Sequence, residues 1–388
     1  MTDRKKGKAT TLVHGGRRKE WRGRLVNVPV ERASTILFDN VADLQKARPG
    51  LGQWNYGLQG TATHWALSEA LTEIEPGAAG TALYSTGLAA VSGALLAVLS
   101  AGDELLVVDS VYGPTRKFCD TILKRLGIAV VYYDPLAGNG IAELFTERTR
   151  AILLESPGSL TMEVQDVPGI CAIARERGIV TLLDNTWASP LLFPALAAGV
   201  DISILALSKY VGGHSDVMIG AATANAQHFP RLQKTCWDLG HAVSPDDAWL
   251  ASRGLRTLGV RLKQHEENAL AVVHWVKARP EVGLVLHPAL PECPGHEIWK
   301  RDFSGSSGLF SFELKDADAK SRAAFVDSLK LFGIGFSWGG YESLVLPIDP
   351  VRTASTAPAP NLVRLHVGLE DPEDLIADLE AAFAQAGR

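Results

Sequence analysis

From residue 61 onward, short apolar runs alternate along the chain with stretches whose apolar residues recur at helical spacing. Six runs read as strands: Leu105–Asp109, Ala129–Tyr133, Ala151–Glu155, Val180–Asp184, Ile202–Leu207 and Ile219–Ala224. They are apolar at consecutive positions, the pattern of strands covered on both faces. Between them lie amphipathic stretches such as Thr115–Leu126 and Val167–Arg177, the second with Pro168 in its first turn, where the missing N–H costs nothing. Strand and helix in alternation predict an α/β fold with a mainly parallel sheet covered by helices on both sides. Ligands of such sheets bind beyond the carboxyl ends of the strands.

The texture differs on either side of this region. Residues 1–60 have few periodic apolar segments and many Arg, Gly and polar residues, which predicts an extended arm that orders only by packing on something else. Its first part carries a basic cluster (Arg4, Lys5, Lys6, Lys8, Arg17, Arg18, Lys19) that reads as solvated. Asp246–Lys277 reads as one long helix leading into a further unit. There, strands Val282–Leu286, Gly308–Leu314 and Leu362–Val367 interleave with helices Ala319–Leu329 and Asp371–Ala386. The expected organisation is an arm over 1–60, a large domain over 61–250 and a smaller C-terminal α/β domain over 251–388. Thr353–Asn361, built of Ala, Thr and Pro, reads as a mobile loop.

Composition narrows the possibilities. With 388 residues, 46% of them hydrophobic and 21% charged, the chain can bury a substantial core. A net charge of −5 argues against nucleic acid or an anionic membrane as partner. No apolar run approaches the roughly 18 residues of a membrane span. Cys119, Cys171, Cys236 and Cys293 are scattered without a Cys-x-x-Cys pair, which suits reduced thiols rather than disulfides or a metal site. A soluble cytoplasmic protein is expected.

The candidate chemistry sits where two apolar runs end. One run delivers Ser208 and Lys209 into a glycine-containing turn, and another ends at Asp184, 25 residues earlier, enough for one crossover between neighbouring parallel strands. A lysine beside a buried strand loses hydration, which favours its neutral, nucleophilic amine. A carboxylate and a lysine side by side at strand ends suit pyridoxal 5′-phosphate (PLP): acid on the pyridinium nitrogen, amine on the aldehyde. Ser85-Thr-Gly87-Leu88 opens an Ala- and Leu-rich helix whose N–H groups could receive a phosphate, although the same residues also make an ordinary N-cap. Tyr112, in Asp109-Ser-Val-Tyr112-Gly-Pro114, falls at the same edge of the sheet, where it could stack on a flat ring or simply close the core.

These runs resemble the PLP-dependent enzymes of cysteine and methionine metabolism, which have the fold-type I (aspartate aminotransferase-like) architecture. The likeness starts at Thr11-Leu-Val-His14 and extends over essentially the whole chain. Tyr56–His64, Glu155–Glu163, Ser252–Arg261, Gly295–Asp302 and Ser337–Ser343 are most similar to the cystathionine β-lyases of that family. Where its synthases and γ-lyases usually place Asn-Pro, this chain has Gly158-Ser159. The resemblance implies that Lys209 bonds the cofactor aldehyde and then shuttles the substrate's α-proton. Asp184 would pair with the ring nitrogen, Tyr112 stack on the ring, and Gly87, Leu88 and Ser208 hold the phosphate. Arg364 would clamp the substrate carboxylate, and Ser337 and Trp338 line its pocket. Tyr56 would reach a neighbouring subunit's phosphate, so that Lys209, Tyr112 and Tyr56 form a catalytic set shared between subunits of a homotetramer made of two dimers.

The implied reaction is β-elimination of the thioether L-cystathionine to homocysteine, pyruvate and ammonia, as in methionine biosynthesis, or of related cysteine S-conjugates. γ-Elimination or γ-replacement is the nearest alternative; a non-catalytic PLP-binding module is more distant. Two positions depart from the family pattern: Leu58 stands in place of a phosphate-binding arginine, and Ala206 in place of a frequent hydroxyl donor. Both predict weaker cofactor retention, with Gln59 as a neutral substitute donor.

Overall fold

The computed structural model describes residues 6–386; Arg4 and Lys5 of the basic cluster lie outside them. Seven strands form the larger sheet: β1 (Gly80–Tyr84), β2 (Glu104–Val108), β3 (Ala129–Tyr133), β4 (Thr149–Glu155), β5 (Val180–Asp184), β6 (Ile202–Leu205) and β7 (Gly220–Ala224). Their order is β1-β7-β6-β5-β4-β2-β3, parallel throughout except for β7, which runs antiparallel to both its neighbours. Alternate side chains feed two cores. Ala82, Tyr84, Ile202, Ile204 and Ala222 pack under helix Gly87–Val98. Leu205, Ala221 and Ile219 pack with helices Ala62–Ile74 and Pro245–Leu255 on the other face. The sheet is therefore mainly parallel and covered on both sides, as the continuous apolar runs require.

A second sheet joins β8 (Val282–Leu286), β9 (Leu309–Leu314), β10 (Gly333–Ile334), β11 (Leu344–Ile348) and β12 (Leu362–His366) in the order β10-β11-β12-β9-β8. Helices Leu258–Lys277, Ala319–Ser328 and Pro372–Ala386 cover it through Val272, Val276, Phe325, Leu379 and Phe383. β1, β10 and β11 were not among the expected strands. β1 (Gly-Thr-Ala-Leu-Tyr) is too small-sided to stand out, and Pro347 interrupts the apolar pattern of β11.

Three other expectations change. The single helix over Asp246–Lys277 is two, Pro245–Leu255 and Leu258–Lys277. Between them the carbonyl of Gly254 accepts from the Arg261 guanidinium at 2.8 Å and from the Thr257 N–H at 3.1 Å. Arg256 turns back to the carbonyls of Leu12 and Gly15. The N-terminal segment is not simply solvated, because helix Lys8–His14 buries Leu12 and Lys8 Nζ donates to Leu191 O at 2.6 Å. The Thr353–Asn361 loop is anchored at its start rather than mobile throughout. The buried Asp109 carboxylate accepts from the N–H groups of Thr353, Ala354 and Ser355 and from both hydroxyls, while Arg116 pairs with it at 2.6 Å. No helix among the described residues is long and apolar enough to cross a membrane.

Candidate active site

β5 and β6 pair with Asp184 opposite Ile204, so the chain leaving β6 carries Ala206, Ser208 and Lys209 past the carboxyl end of β5. Asp184 Oδ1 accepts from the Thr186 N–H at 3.1 Å and from its hydroxyl, and the same Thr186 oxygen accepts from the Ala206 N–H at 2.9 Å. Thr186 thereby ties the carboxylate to the segment that positions the lysine. Asp184 Oδ2 has no protein partner among the described residues and is left for a cationic N–H. Burial raises the pKa of Asp184; the hydrogen bonds from Thr186 and the Lys209 charge oppose the shift.

Lys209 Nζ donates to Ser337 Oγ at 2.6 Å and lies 5.4 Å from the centroid of the Trp338 ring. Burial, and then the nearby Arg364 charge, lower its pKa to about 8, against the opposing pull of Asp184. Arg364, in the middle of β12, is 9% exposed and donates to Ser337 O at 3.1 Å. Its pKa is also lowered by burial, to about 10, which leaves it cationic at neutral pH. The second sheet thus brings Arg364, Ser337 and Trp338 to the lysine of the first.

Tyr112 occupies the N-cap position of helix Gly113–Phe118 beyond the end of β2, with the residue 45% exposed and its N–H donated to Glu155 Oε2 at 2.8 Å. Burial, then Glu155 and Asp184, raise the pKa of its phenol, while Arg364 opposes them, so the ring lies within electrostatic reach of the whole group. Glu155 ends β4 directly opposite Asp184, and burial holds its pKa well above the usual carboxylate range. Both Thr186 and Glu155 escape a search for chemistry in the sequence. The one available signal for Thr186 was its place two residues after Asp184, where a hydroxyl can cap the carboxylate.

Gly87 and Leu88 open a helix of 12 residues whose N-cap, Thr86, accepts from Ala89 N at 3.0 Å. The N–H groups of Gly87 and Leu88 therefore remain unpaired within the helix, at its positive end. Gly87 presses against the approach to the lysine: a Cβ there would lie 2.6 Å from the Ala206 Cβ. The Ser208 hydroxyl accepts from Ile219 N at 2.9 Å and donates to Ile219 O at 3.1 Å, so its proton is already committed to the neighbouring backbone. Tyr56 is 51% exposed and lies in the arm, where its carbonyl accepts from Gln59 N; it shares no hydrogen bond with the residues around Lys209 in its own chain. Leu58 and Gln59 border a separate cavity of about 590 Å³ beside Trp65 and Trp237.

The donor set fits PLP. A free carboxylate oxygen stands at the right sheet edge for the ring nitrogen, an amine of lowered pKa stands beside it, and a helix start offers two open N–H groups to a phosphate. Comparison with known proteins points the same way. A family profile described as Cys/Met metabolism PLP-dependent enzyme matches residues 9–384. A putative cystathionine β-lyase of Rhizobium johnstonii is 50% identical, over 93% of this chain and 92% of its own. Cystathionine β-lyase MetC of Escherichia coli is 46% identical, over 97% and 98%. Among solved structures, the cystathionine γ-synthase of Xanthomonas oryzae in complex with cystathionine superposes with a TM-score of 0.90 at 33% identity, covering 98% of this chain and 99% of that one. The chain belongs to the PLP-dependent enzymes of cysteine and methionine metabolism.

Proposed function

We propose that this enzyme cleaves L-cystathionine by β-elimination, releasing homocysteine, pyruvate and ammonia in the cytoplasm as a step toward methionine. The observation that carries the reading is the convergence of Lys209, Asp184, Arg364 and the Ser337–Trp338 pair beside the carboxyl ends of β5 and β6; the full-length relatives named as cystathionine β-lyases support the choice of substrate. PLP, when bound, supplies an electron sink for negative charge developing at the substrate's α-carbon. Asp184, through its free oxygen, holds the positive charge on the ring nitrogen that this sink needs. Arg364 fixes the substrate carboxylate with a planar fork of donors. Lys209 Nζ takes the α-proton, for which a pKa near 8 leaves a useful neutral fraction at physiological pH. Trp338 walls one side of the amine and limits water there.

Tyr56 completes the site from a neighbouring subunit in this reading, because it stands on an arm rich in exposed apolar side chains (Leu37, Val41, Leu44, Trp54) and shares no hydrogen bond with the residues around its own lysine. In this reading two such dimers form a homotetramer, which is what the family resemblance implies. Incubation of the purified enzyme with L-cystathionine decides the reaction: pyruvate with homocysteine is expected, and 2-oxobutyrate with cysteine would reassign it to γ-elimination.

A further inference from the structure

Arg364 and His366 are two residues apart on β12, so both side chains leave the same face of the strand. Both grip one turn. Arg364 donates to Ser337 O at 3.1 Å, and His366 Nε2 accepts the Gly339 N–H at 3.1 Å, with Gly340 O also 3.1 Å away. The imidazole is buried, and its Nδ1 has no partner among the described residues. Nε2 is thus within hydrogen-bond distance of one backbone donor and one backbone acceptor of the same turn, and holds the turn by accepting from Gly339 in one tautomer or donating to Gly340 in the other. Tyr210 and His265 back the ring, with centroids 6.0 and 5.2 Å from it.

The turn held in this way is unusual and close to the lysine. Ser337 has φ +85° and Gly339 φ +87°. A Cβ on Gly339 would stand 2.7 Å from Tyr210 N and 3.1 Å from Lys209 Cα, so only glycine lets the turn approach. A serine in this backbone region persists only where its surroundings hold it there. It is this serine whose Oγ receives Lys209 Nζ.

We propose that His366 is a positioning residue for Lys209: by holding the Gly339–Gly340 turn it keeps Ser337 Oγ where it steadies the lysine amine between Asp184 and Arg364. The proposal rests on the reading of Lys209 as the residue that bonds the cofactor and moves the α-proton. The test uses cofactor-stripped H366F, which fills the volume without an acceptor, and H366Q, whose amide can accept from Gly339 and donate to Gly340. PLP with cyanoborohydride labels the reactive lysine, peptide mass spectrometry reads the rate of labelling at residue 209, and thermal melting reports folding. In H366F, labelling and kcat should each fall about tenfold with KM nearly unchanged, while H366Q stays within about twofold of the parent. H366F labelling and turning over like the parent overturns the proposal, as does an equal loss in H366Q. If H366F does not fold, H366N replaces it: its shorter amide should lose labelling where H366Q keeps it, and equal labelling overturns the proposal. K209A serves as the control for the underlying reading. Turnover or labelling at the same peptide in K209A would sink that reading itself, whatever the histidine variants do.

Discussion

Lys209 is shifted by three influences at once: burial and the Arg364 charge favour its neutral form, and Asp184 favours the protonated one. The first two win, because burial penalises the ammonium charge directly and the Arg364 charge adds to that penalty. The amine of the cofactor-free protein is protonated below its pKa and reactive above it. Covalent uptake of PLP should therefore accelerate as pH rises through about 8, not through the ordinary lysine value of 10.5; stopped-flow absorbance across pH 6–11 reads the midpoint. K209A should fold with an unchanged melting curve and show no pyruvate formation. Thr186→Val removes the hydroxyl that holds Asp184 Oδ1 and accepts the Ala206 N–H. Loss of a hydrogen bond to a charged group is worth about 1.5–3 kcal/mol, so kcat/KM should drop by about ten- to a hundredfold. A twofold change or less would remove Thr186 from the site's support.

At the scale of elements, the site is assembled where two sheets meet, and what fixes their meeting is buried charge. Asp109, at the end of β2, holds the Thr353–Ser355 backbone of the second region, and Arg352 beside it pairs with Glu163 at 2.7 Å. Burial alone would raise the pKa of Asp109, but Arg116 and the N–H groups of Ala354 and Thr353 outweigh it and hold the carboxyl well below its usual range. A carboxylate with a lowered folded pKa contributes stability that is present above its unfolded value near 4 and lost as pH falls below it. Asp109→Ala leaves the Arg116 guanidinium buried without its partner, a change that costs about 3–5 kcal/mol. Urea denaturation at pH 7 should show that loss, and the gap between variant and parent should narrow as the pH is lowered toward 3.

At the scale of the whole molecule, the proposed sharing of the arm between subunits has a direct consequence for mixed assemblies. If Tyr56 serves a neighbour's site, inactive K209A and inactive Y56F homomers should regain activity when unfolded together and refolded. One intact site per mixed dimer predicts recovery of about a quarter of the parent activity; no recovery would place Tyr56 in its own chain's site or outside any site. Leu58→Arg should slow PLP release on dilution, since it restores a cation where the family pattern places one. Equal release would mean that the helix start at Gly87 and Leu88 suffices.

The β strands that carry the chemistry were legible in the sequence because a strand buried on both faces must be apolar at every position, and Asp184 and Lys209 stood out at the ends of two such runs. Helix starts were legible for a similarly local reason, as Thr86 before Gly87 shows. What a linear reading could not supply was any contact that depends on long-range packing. Thr186 and Glu155 are ordinary polar residues until β4, β5 and β6 lie side by side. The anchored loop at Thr353–Ser355 looked mobile because its partner, Asp109, is more than 240 residues away in the chain. The break before Leu258 depends on Arg261 reaching Gly254 and Tyr210, which no helical periodicity encodes. The sequence alone determined which residues are candidates for the chemistry, since residue type and strand-end position are local properties. Only the tertiary structure decided what holds them, since a hydrogen bond across two sheets exists only once both are packed.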